Sequence, residues 1–399
     1  MKVAWVVPGF SGDERDWCIP ALLDLARVLA QRAELHIFSL RYPHRRAVYP
    51  IYGATVHSFG GGLDSDWRAL RLWGQALAAI RAEARRGRFA VFHAFWLQDA
   101  GTVATLAALL TRTPTILSLG GAEMARLPDI GYGELLHPRQ AAIMRFSLRR
   151  AAWVTGGSRY ILELTRPHLP PAARAKLRLA PLGVDTTRFS PSPHSPFVPS
   201  SLPPSLGRGK KGEKQHGPRL LHVGSLLPVK DQATLLRALR RVVDNAPGAR
   251  LTIVGGGLLE GHLRRLCGEL GLESQVTFVG AVPHDRLPDY YRDADLFVLS
   301  SRHEAQNMAV LEAAACGLPT VGTAVGVLPD LAPEAAWAVP VGDAAAMAEA
   351  IMALWRDPPR RAAMAQAAQA RVAAEYSLER AADRFWELYQ TTLQRSSSQ

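Results

Sequence analysis

The segment Ser300-Ser301-Arg302-His303-Glu304-Ala305-Gln306-Asn307-Met308-Ala309-Val310-Leu311-Glu312 carries two carboxylates eight residues apart. It follows an apolar run, Leu296–Leu299, and reads as a strand end passing into a helix that Gly317 and Pro319 close. If the whole stretch is helical, Glu304 and Glu312 stand about 12 Å apart at ~1.5 Å per residue and share one side. Carboxylates so spaced can accept hydrogen bonds from hydroxyls at the two ends of one extended ligand. The separation approaches the span from the ribose to the sugar of a nucleotide diphosphate sugar. Backbone N–H groups at the helix start would hold a phosphate between them. By itself, the pair reads equally well as two solvent-facing side chains on a surface helix.

Other strand-end features accompany it. Val223-Gly224-Ser225-Leu226-Leu227-Pro228-Val229-Lys230 places a cation just past a glycine turn, where it can meet a diphosphate as a point charge. Val254-Gly255-Gly256-Gly257 follows the next strand, and glycine there lets a ligand approach the backbone. His93 closes an earlier strand in His93-Ala94-Phe95-Trp96, with Asp99 three residues on. It is either a site residue or a satisfied buried histidine, and Trp96 and Asp99 are either site or packing residues. Asp293-Ala294-Asp295 has the spacing of a metal-diphosphate ligand pair. It runs directly into a strand, however, and reads as a helix-to-strand connection, so no metal is expected.

These groups need elements to hold them. Strand-like runs occur at Lys2–Val7, Glu34–Ser39, Ala90–His93, Thr115–Leu119 and Trp153–Gly156. They recur at Leu220–Val223, Arg250–Val254, Gln275–Val279, Leu296–Leu299 and Thr320–Gly322. Helical patterns such as Cys18–Arg32, Arg68–Arg86, Gln232–Asn245, Gly261–Leu270 and Met308–Cys316 lie between them. Near-continuous apolar strands alternating with helices predict parallel sheets covered on both faces. The pattern occurs twice, which predicts two doubly wound α/β domains facing across a cleft. Residues 1–189 form the first domain and 219–365 the second. A flexible Pro/Ser/Gly/Lys-rich insertion at 190–218 separates them. Residues 366–399 are expected to form a C-terminal helix that packs back on the first domain and ends in a disordered tail.

The 399 residues carry a formal net charge of +12, unevenly spread. Residues 1–190 hold 25 basic and 14 acidic side chains, and residues 219–399 hold 18 and 20. No nucleic-acid motif accompanies the excess, so a nucleic-acid partner is not expected. Arg41, Arg45, Arg46, the Arg68–Arg88 region, Arg145, Arg149 and Arg150, interleaved with Trp67, Trp73 and Phe146, suit an anionic membrane surface. Cys18, Cys267 and Cys316 are odd in number and far apart, which argues against a disulfide framework and for a reducing compartment. The short apolar start ending at Pro8-Gly9 reads as a strand, not a signal peptide, and no apolar run is long enough to span a bilayer. The expected location is cytoplasmic, peripheral on the inner face of the membrane.

The whole pattern resembles glycosyltransferase family 4 of the GT-B fold, which has two Rossmann-like domains and is retaining, nucleotide-sugar-dependent and metal-independent. Glu304…Glu312, Gly224…Lys230, Leu182-Gly183-Val184-Asp185…Phe189 and the His93 segment carry the resemblance. It implies hexose transfer from a nucleotide diphosphate sugar to a glycan, lipid or small-molecule acceptor in envelope or exopolysaccharide synthesis, with no cofactor. Glu304, Lys230 and His93 would form the catalytic group. Glu312 would hold the ribose, and Glu304 with the backbone of Gln306, Asn307, Met308 and Ala309 would meet sugar and phosphates. Gly224, Ser225, Lys230 and Gly255 would receive the diphosphate, Val282 the base, and Gly9 the phosphate side of the first domain. Three departures stand out. Ser225 replaces the usual arginine, Gln306-Asn307 replace an aromatic-glycine pair, and Gly120 stands where a histidine is usual. Glu123, His93 or Asp99 would compensate for that histidine, and Trp96, Asp99, Gly120 and Glu123 would line the acceptor side. A catalytically degenerate nucleotide-sugar-binding protein, or a sugar-nucleotide epimerase on the same fold, is the alternative.

Overall fold

The structure, a computed structural model, describes residues 1–61, 66–191 and 217–397. The expected insertion lies almost wholly outside the described residues, as do the side chains of Trp67 and Arg68. Two compact units account for the chain. Unit 1 comprises residues 1–183, 304–306 and 376 onward, and unit 2 comprises 184–303 and 307–375.

Unit 1 is built on an eight-stranded sheet. Its strands are β1 (Lys2–Gly9), β2 (Glu34–Tyr42), β3 (Arg46–Ile51), β4 (Ala54–Phe59), β5 (Val91–Phe95), β6 (Thr115–Leu119), β7 (Trp153–Gly156) and β8 (Leu177–Leu179). The order is β3-β4-β2-β1-β5-β6-β7-β8, parallel except for the antiparallel β3–β4 pair. Helices α1 (Pro20–Leu29), α2 (Asp66–Arg86), α3 (Asp99–Thr111), α4 (Pro138–Arg150) and α5 (Arg159–Thr165) cover it. Successive side chains on a strand point to opposite faces. On β1, Ala4 and Val6 enter the core that includes Ala76, Ile80 and Val103, whereas Val3, Trp5 and Val7 enter the core that includes Leu22, Leu25 and Leu29. The strand order reverses between β1 and β5. Open α/β sheets bind ligands at the carboxyl ends of such a switch point. The loops there carry Gly9 from β1 and Trp96 and Asp99 from β5.

Unit 2 repeats the plan with six parallel strands: β9 (Arg219–Val223), β10 (Arg250–Val254), β11 (Val276–Gly280), β12 (Leu296–Leu299), β13 (Thr320–Thr323) and β14 (Ala336–Val339). The order is β11-β10-β9-β12-β13-β14. Its helices are α6 (Gln232–Asn245), α7 (Glu260–Glu269), α8 (Leu287–Asp293), α9 (Met308–Ala315), α10 (Leu328–Leu331), α11 (Ala344–Arg356) and α12 (Pro358–Glu375). The switch point falls between β9 and β12, whose following loops carry Ser225–Lys230 and Ser300–Asn307.

The last helix, α13 (Leu378–Ser397), belongs to unit 1. It buries Leu378, Ala381, Ala382, Phe385 and Tyr389 in the core around Trp5. The Trp5 indole donates to Tyr389 Oη at 2.9 Å. The division between units therefore falls at 375/376, not 365/366, because α12 packs on α9 and α11 within unit 2. The chain is helical through Ser397 where a disordered tail was expected, and residues 398 and 399 lie outside the described ones.

Candidate functional site

At the carboxyl edge of the unit 2 sheet, three glycine turns are tied together by backbone hydrogen bonds. Gly224 N–H donates to Val254 O at 2.9 Å, Leu226 N–H to Gly256 O at 2.9 Å, and Gly255 N–H to Gly280 O at 2.8 Å. Gly255 has φ +127°, and a Cβ there would collide with the Gly224 carbonyl. Only glycine satisfies both conditions. Ser225 is exposed at the tip of the first turn, and Val282 follows the third, partly buried.

Lys230 ends a short 3-10 turn, Pro228–Lys230, that leads into α6. Three contacts fix this turn. Ser300 Oγ donates to Lys230 O at 2.8 Å. Arg302 N–H donates to Val229 O at 2.8 Å. Asp231, at φ +46°, caps α6 by accepting from Thr234 N–H and from Thr234 Oγ1. The loops after β9 and β12 are thus fastened to each other beside Lys230.

The segment from Glu304 to Glu312 is not one helix, which corrects the separation derived from the sequence. Asn307 has φ +79° and caps α9 by accepting from Val310 N–H at 3.0 Å, so helix begins only at Met308. Glu304 lies in the preceding loop and groups with unit 1, as do Ala305 and Gln306. Gln306 was expected to meet the donor through its backbone. Its side chain is buried, with Oε1 accepting from Leu182 N–H at 2.9 Å and Nε2 donating to Leu182 O at 2.7 Å. Ser158 Oγ donates to Ala305 O at 2.6 Å. The side chains of Gln306 and Asn307 therefore fix this segment's backbone, and Met308 and Ala309 form the first turn of α9, both partly buried.

Glu312, 5% exposed, is held at both oxygens. Tyr291 Oη donates to Oε2 at 2.8 Å, and His284 Nε2 lies 2.9 Å from Oε1. His284 Nδ1 is 3.5 Å from Arg188, which pairs with Asp185. Phe189 packs against both His284 and Tyr291. The Val184–Ser190 turn is thereby wired to Glu312. Burial, then the charge of Glu312, raises the Tyr291 hydroxyl well above its ordinary value, so it stays a donor. Nothing in the sequence pattern singled out His284 or Tyr291.

In unit 1, His93 is not available for catalysis. It is fully buried, with Nδ1 2.7 Å from Tyr389 Oη and Nε2 2.7 Å from Ser118 Oγ. Burial pushes it down to about 3, so it is neutral and locked in a core network. Gly9 is buried against Tyr42 and Cys18, where a Cβ would meet Tyr42 Cβ at 3.1 Å. Asp99, at the start of α3, accepts from Arg41 Nε at 2.7 Å and from Trp73 Nε1 at 3.0 Å. It organises its own surroundings. Trp96 sits at φ +68° with its ring against Gly120, where a Cβ would fall 2.5 Å from the indole.

Glu123 is 1% exposed and accepts from three backbone N–H groups: Leu97 at 3.2 Å, Gly120 at 3.1 Å and Gly121 at 2.6 Å. Burial raises its titration, and these hydrogen bonds oppose the rise. It clamps the loops after β5 and β6. Around it the structure gathers groups the sequence did not suggest. Glu134 is hydrogen-bonded by Gln98, and its titration is raised by burial and then by the charge of Glu123. Tyr132 is pushed up to about 12 by burial and then by Glu304, Glu123 and Glu134. Tyr160 is raised by burial and then by Glu304. Glu134 sits in a short 3-10 turn, Tyr160 at the start of a short helix and Tyr132 in an isolated bridge to Leu127, where periodicity gives no signal. Unit 1 thus brings Glu304 near Tyr132 and Tyr160, with Glu123 and Glu134 close by. This set suits hydroxyl-rich ligands, which donate to carboxylates and rest on aromatic rings.

Residues 207–371 match the sequence model described as "Glycosyl transferases group 1", and residues 21–188 match the one described as "Glycosyltransferase Family 4". The chain belongs to glycosyltransferase family 4. It is 32% identical over 219 residues to a GDP-mannose-dependent monoacylated alpha-(1-6)-phosphatidylinositol monomannoside mannosyltransferase of Corynebacterium glutamicum, covering 53% of this chain and 55% of that one. This family-4 chain thus spans little more than half the length of the mannosyltransferases it matches. It is 29% identical over 370 residues to a D-inositol 3-phosphate glycosyltransferase of Xylanimonas cellulosilytica, covering 88% and 85%. In fold it matches sucrose-phosphate synthase of Thermosynechococcus elongatus, with a TM-score of 0.77 at 19% identity over 98% of this chain and 99% of that one. The family-4 chain has the GT-B fold.

Other features of the family-4 chain take ordinary structural roles. Arg219 pairs with Asp293 at 2.9 Å and with Asp295 at 3.0 Å, which ties the start of β9 to the start of β12. Among the described residues no cluster of three or more His, Cys, Asp or Glu could hold a metal ion, and no helix is long and apolar enough to cross a membrane. Two arginines of the expected membrane face are engaged within the fold. Arg41 holds Asp99, and Arg45 donates to Gly12 O at 3.2 Å.

Proposed function

We propose that the protein transfers a hexose, with retention, from a nucleotide diphosphate sugar to a hydroxyl-bearing acceptor. The observation that carries this reading is the unit 2 switch point. There the glycine turns at Gly224, Gly255 and Gly280, the anchored Lys230 and the doubly held Glu312 all belong to one sheet edge. Lys230 would take the diphosphate, helped by Ser225 and the N–H groups at the start of α9. Glu312 would accept from the ribose hydroxyls, and Val282 would lie beside the base. Glu304 would accept from hydroxyls of the transferred sugar.

In the reaction the bond between the sugar's anomeric carbon and the phosphate oxygen breaks, and its electrons leave with the diphosphate. The acceptor oxygen bonds to that carbon on the same face, and its proton passes to the departing diphosphate. Negative charge grows on the leaving group, so Lys230 and the helix-start amides bind the transition state more tightly than the ground state. No strong protein base is needed, which agrees with the burial of His93. We also propose that no metal takes part.

The acceptor is a glycan, a lipid-linked molecule or a small polyol, and inositol-bearing acceptors are the first to try, given the relatives' substrates. Tyr132, Glu134 and Trp96 would meet it. The protein would work in the cytoplasm, peripheral on the inner membrane face. The test is product formation from UDP-, GDP- and ADP-hexoses with inositol phosphate and phosphatidylinositol mannoside acceptors. Glu304→Gln and Lys230→Ala should each lower turnover at least about 100-fold, the scale for loss of one transition-state contact. Full activity in both variants would end this reading.

A further inference from the structure

Between residues 138 and 178 the sequence holds nine arginines and lysines and one acid, Glu163. Eight of the chain's twelve net positive charges thus lie in about a tenth of its length. Glu163 is already taken, since Arg166 Nε and Nη2 donate to its two oxygens at 3.0 and 2.9 Å. Among the described residues no carboxylate pairs with Arg139, Arg145, Arg149, Arg150, Arg174 or Lys176.

Helix α4 is the centre of this charge. Its thirteen residues include four arginines and no acid, and Arg139, Arg145, Arg149 and Arg150 are all exposed. Ala142 is exposed on the same helix, with Ile143 at 38% and Phe146 at 36%. The Arg150 guanidinium lies 3.8 Å from the Phe146 ring centre. Lys176 Nζ donates to Arg149 O at 3.1 Å, which brings the 171–176 turn and its cations beside the helix end. The charge of Arg145 adds to burial in lowering the titration of His168. Like charges gathered without acids repel one another, and an external polyanion relieves that repulsion. A polyanion in solution would not explain the exposed apolar side chains among the cations. A bilayer bearing anionic lipid satisfies both, through phosphates for the arginines and acyl boundary for Phe146 and Ile143.

We propose that α4, with the Pro171–Lys176 turn, is the surface by which this protein docks on anionic lipid bilayers; this rests on the peripheral placement proposed above. The geometry also gives the docking a use. The residues that lead into α4 carry Glu123, Tyr132 and Glu134, and His137 immediately precedes the helix. A bilayer seated on α4 would bring lipid-linked molecules to the loop that holds these groups.

The experiment is vesicle co-sedimentation of the full chain. The vesicles are pure phosphatidylcholine, or phosphatidylcholine with about 30 mol% phosphatidylglycerol, in which each cation near the surface strengthens binding several-fold. Wild type should bind the anionic vesicles, release them at high salt, and ignore the neutral ones. The triple variant Arg145→Glu/Arg149→Glu/Arg150→Glu should bind roughly 100-fold more weakly. Phe146→Ala should bind several-fold more weakly with the salt dependence kept. Arg240→Glu/Arg241→Glu, on unit 2, should bind as wild type does. Unchanged thermal unfolding shows that each variant is folded. Failure of wild type to bind would overturn the peripheral placement itself. Wild-type binding with full binding by the triple variant would overturn only the assignment to α4. Equal binding to a DNA duplex, unaffected by Phe146→Ala, would replace the membrane with nucleic acid.

Discussion

Replacing Tyr291 with phenylalanine isolates the hydroxyl that holds Glu312. The ring is fully buried, with its centre 6.0 Å from Phe189 and 5.9 Å from Phe297, and the substitution leaves that packing in place. What goes is one donor, 2.8 Å from Glu312 Oε2, while His284 remains on Oε1. A hydrogen bond to a charged group contributes about 1.5–3 kcal/mol. Glu312 is 5% exposed, so water restores little of it. The transition that reports unit 2 should therefore weaken by about 1.5–3 kcal/mol, which lowers its midpoint by roughly 3–12 °C for a unit of this size. Glu312 also loses one of its two fixings, so affinity for the donor nucleotide should fall about 3- to 10-fold. Thermal unfolding measures the first effect, and calorimetric titration with UDP, GDP and ADP measures the second. Tyr290→Phe, at the partly exposed neighbour, is the control and should do neither. If Tyr291→Phe unfolds and binds as wild type does, the hydroxyl does not hold the carboxylate and the account of Glu312 is wrong.

Other outcomes follow from the same geometry. Gly255→Ala should cost upwards of about 3 kcal/mol, because its Cβ collides with the Gly224 carbonyl at φ +127°, whereas Gly256→Ala, with nothing within 4 Å, should be nearly neutral in urea unfolding. Asn307→Ala should destabilise by about 1–3 kcal/mol through loss of the cap and strain at φ +79°, and Asn307→Gly should cost clearly less; equal losses would deny the strain. Stability should fall as pH drops below about 6.5, by roughly 1.4 kcal/mol per pH unit for each buried histidine. His93 is held down to about 3 and His57 to about 4, both mainly by burial, so the unfolded chain takes up protons that the folded one refuses. Urea unfolding at pH 7.5 and 5 should show a drop of several kcal/mol, and a flat profile would contradict the neutral burial of both rings.

The sheets were legible because their strands are short continuous apolar runs, and parallel strands buried on both faces must be. β3 was not. Its sequence, RAVYPI, alternates exposed and half-buried side chains and includes a proline, as suits an edge strand that hides little. The proposed nucleotide half of the site was legible because glycines and a lysine at strand ends have a reason to be there. The proposed acceptor half was not. Tyr132, in an isolated bridge, and Glu134, in a turn, lie outside any periodic run, and the conspicuous His93, in mid-β5, belongs to a core completed by a helix nearly three hundred residues away. The side-chain role of Gln306 was hidden for a related reason. Its amide matches both polar groups of the Leu182 backbone, which no local pattern reveals.

The return of α13 to unit 1 sets a timetable for synthesis. Trp5 and His93 find their partner in Tyr389, 384 and 296 residues later. At about 5–20 residues per second, His93 leaves the ribosome roughly 15–60 s before Tyr389 exists. During that interval the seats of Leu378, Phe385 and Tyr389 stand open on an otherwise formed sheet. Unit 2 has no such wait, since its last helix closes at Glu375. The half of the protein made first is therefore the half finished last, and it is the half that keeps apolar surface open while the rest is being made.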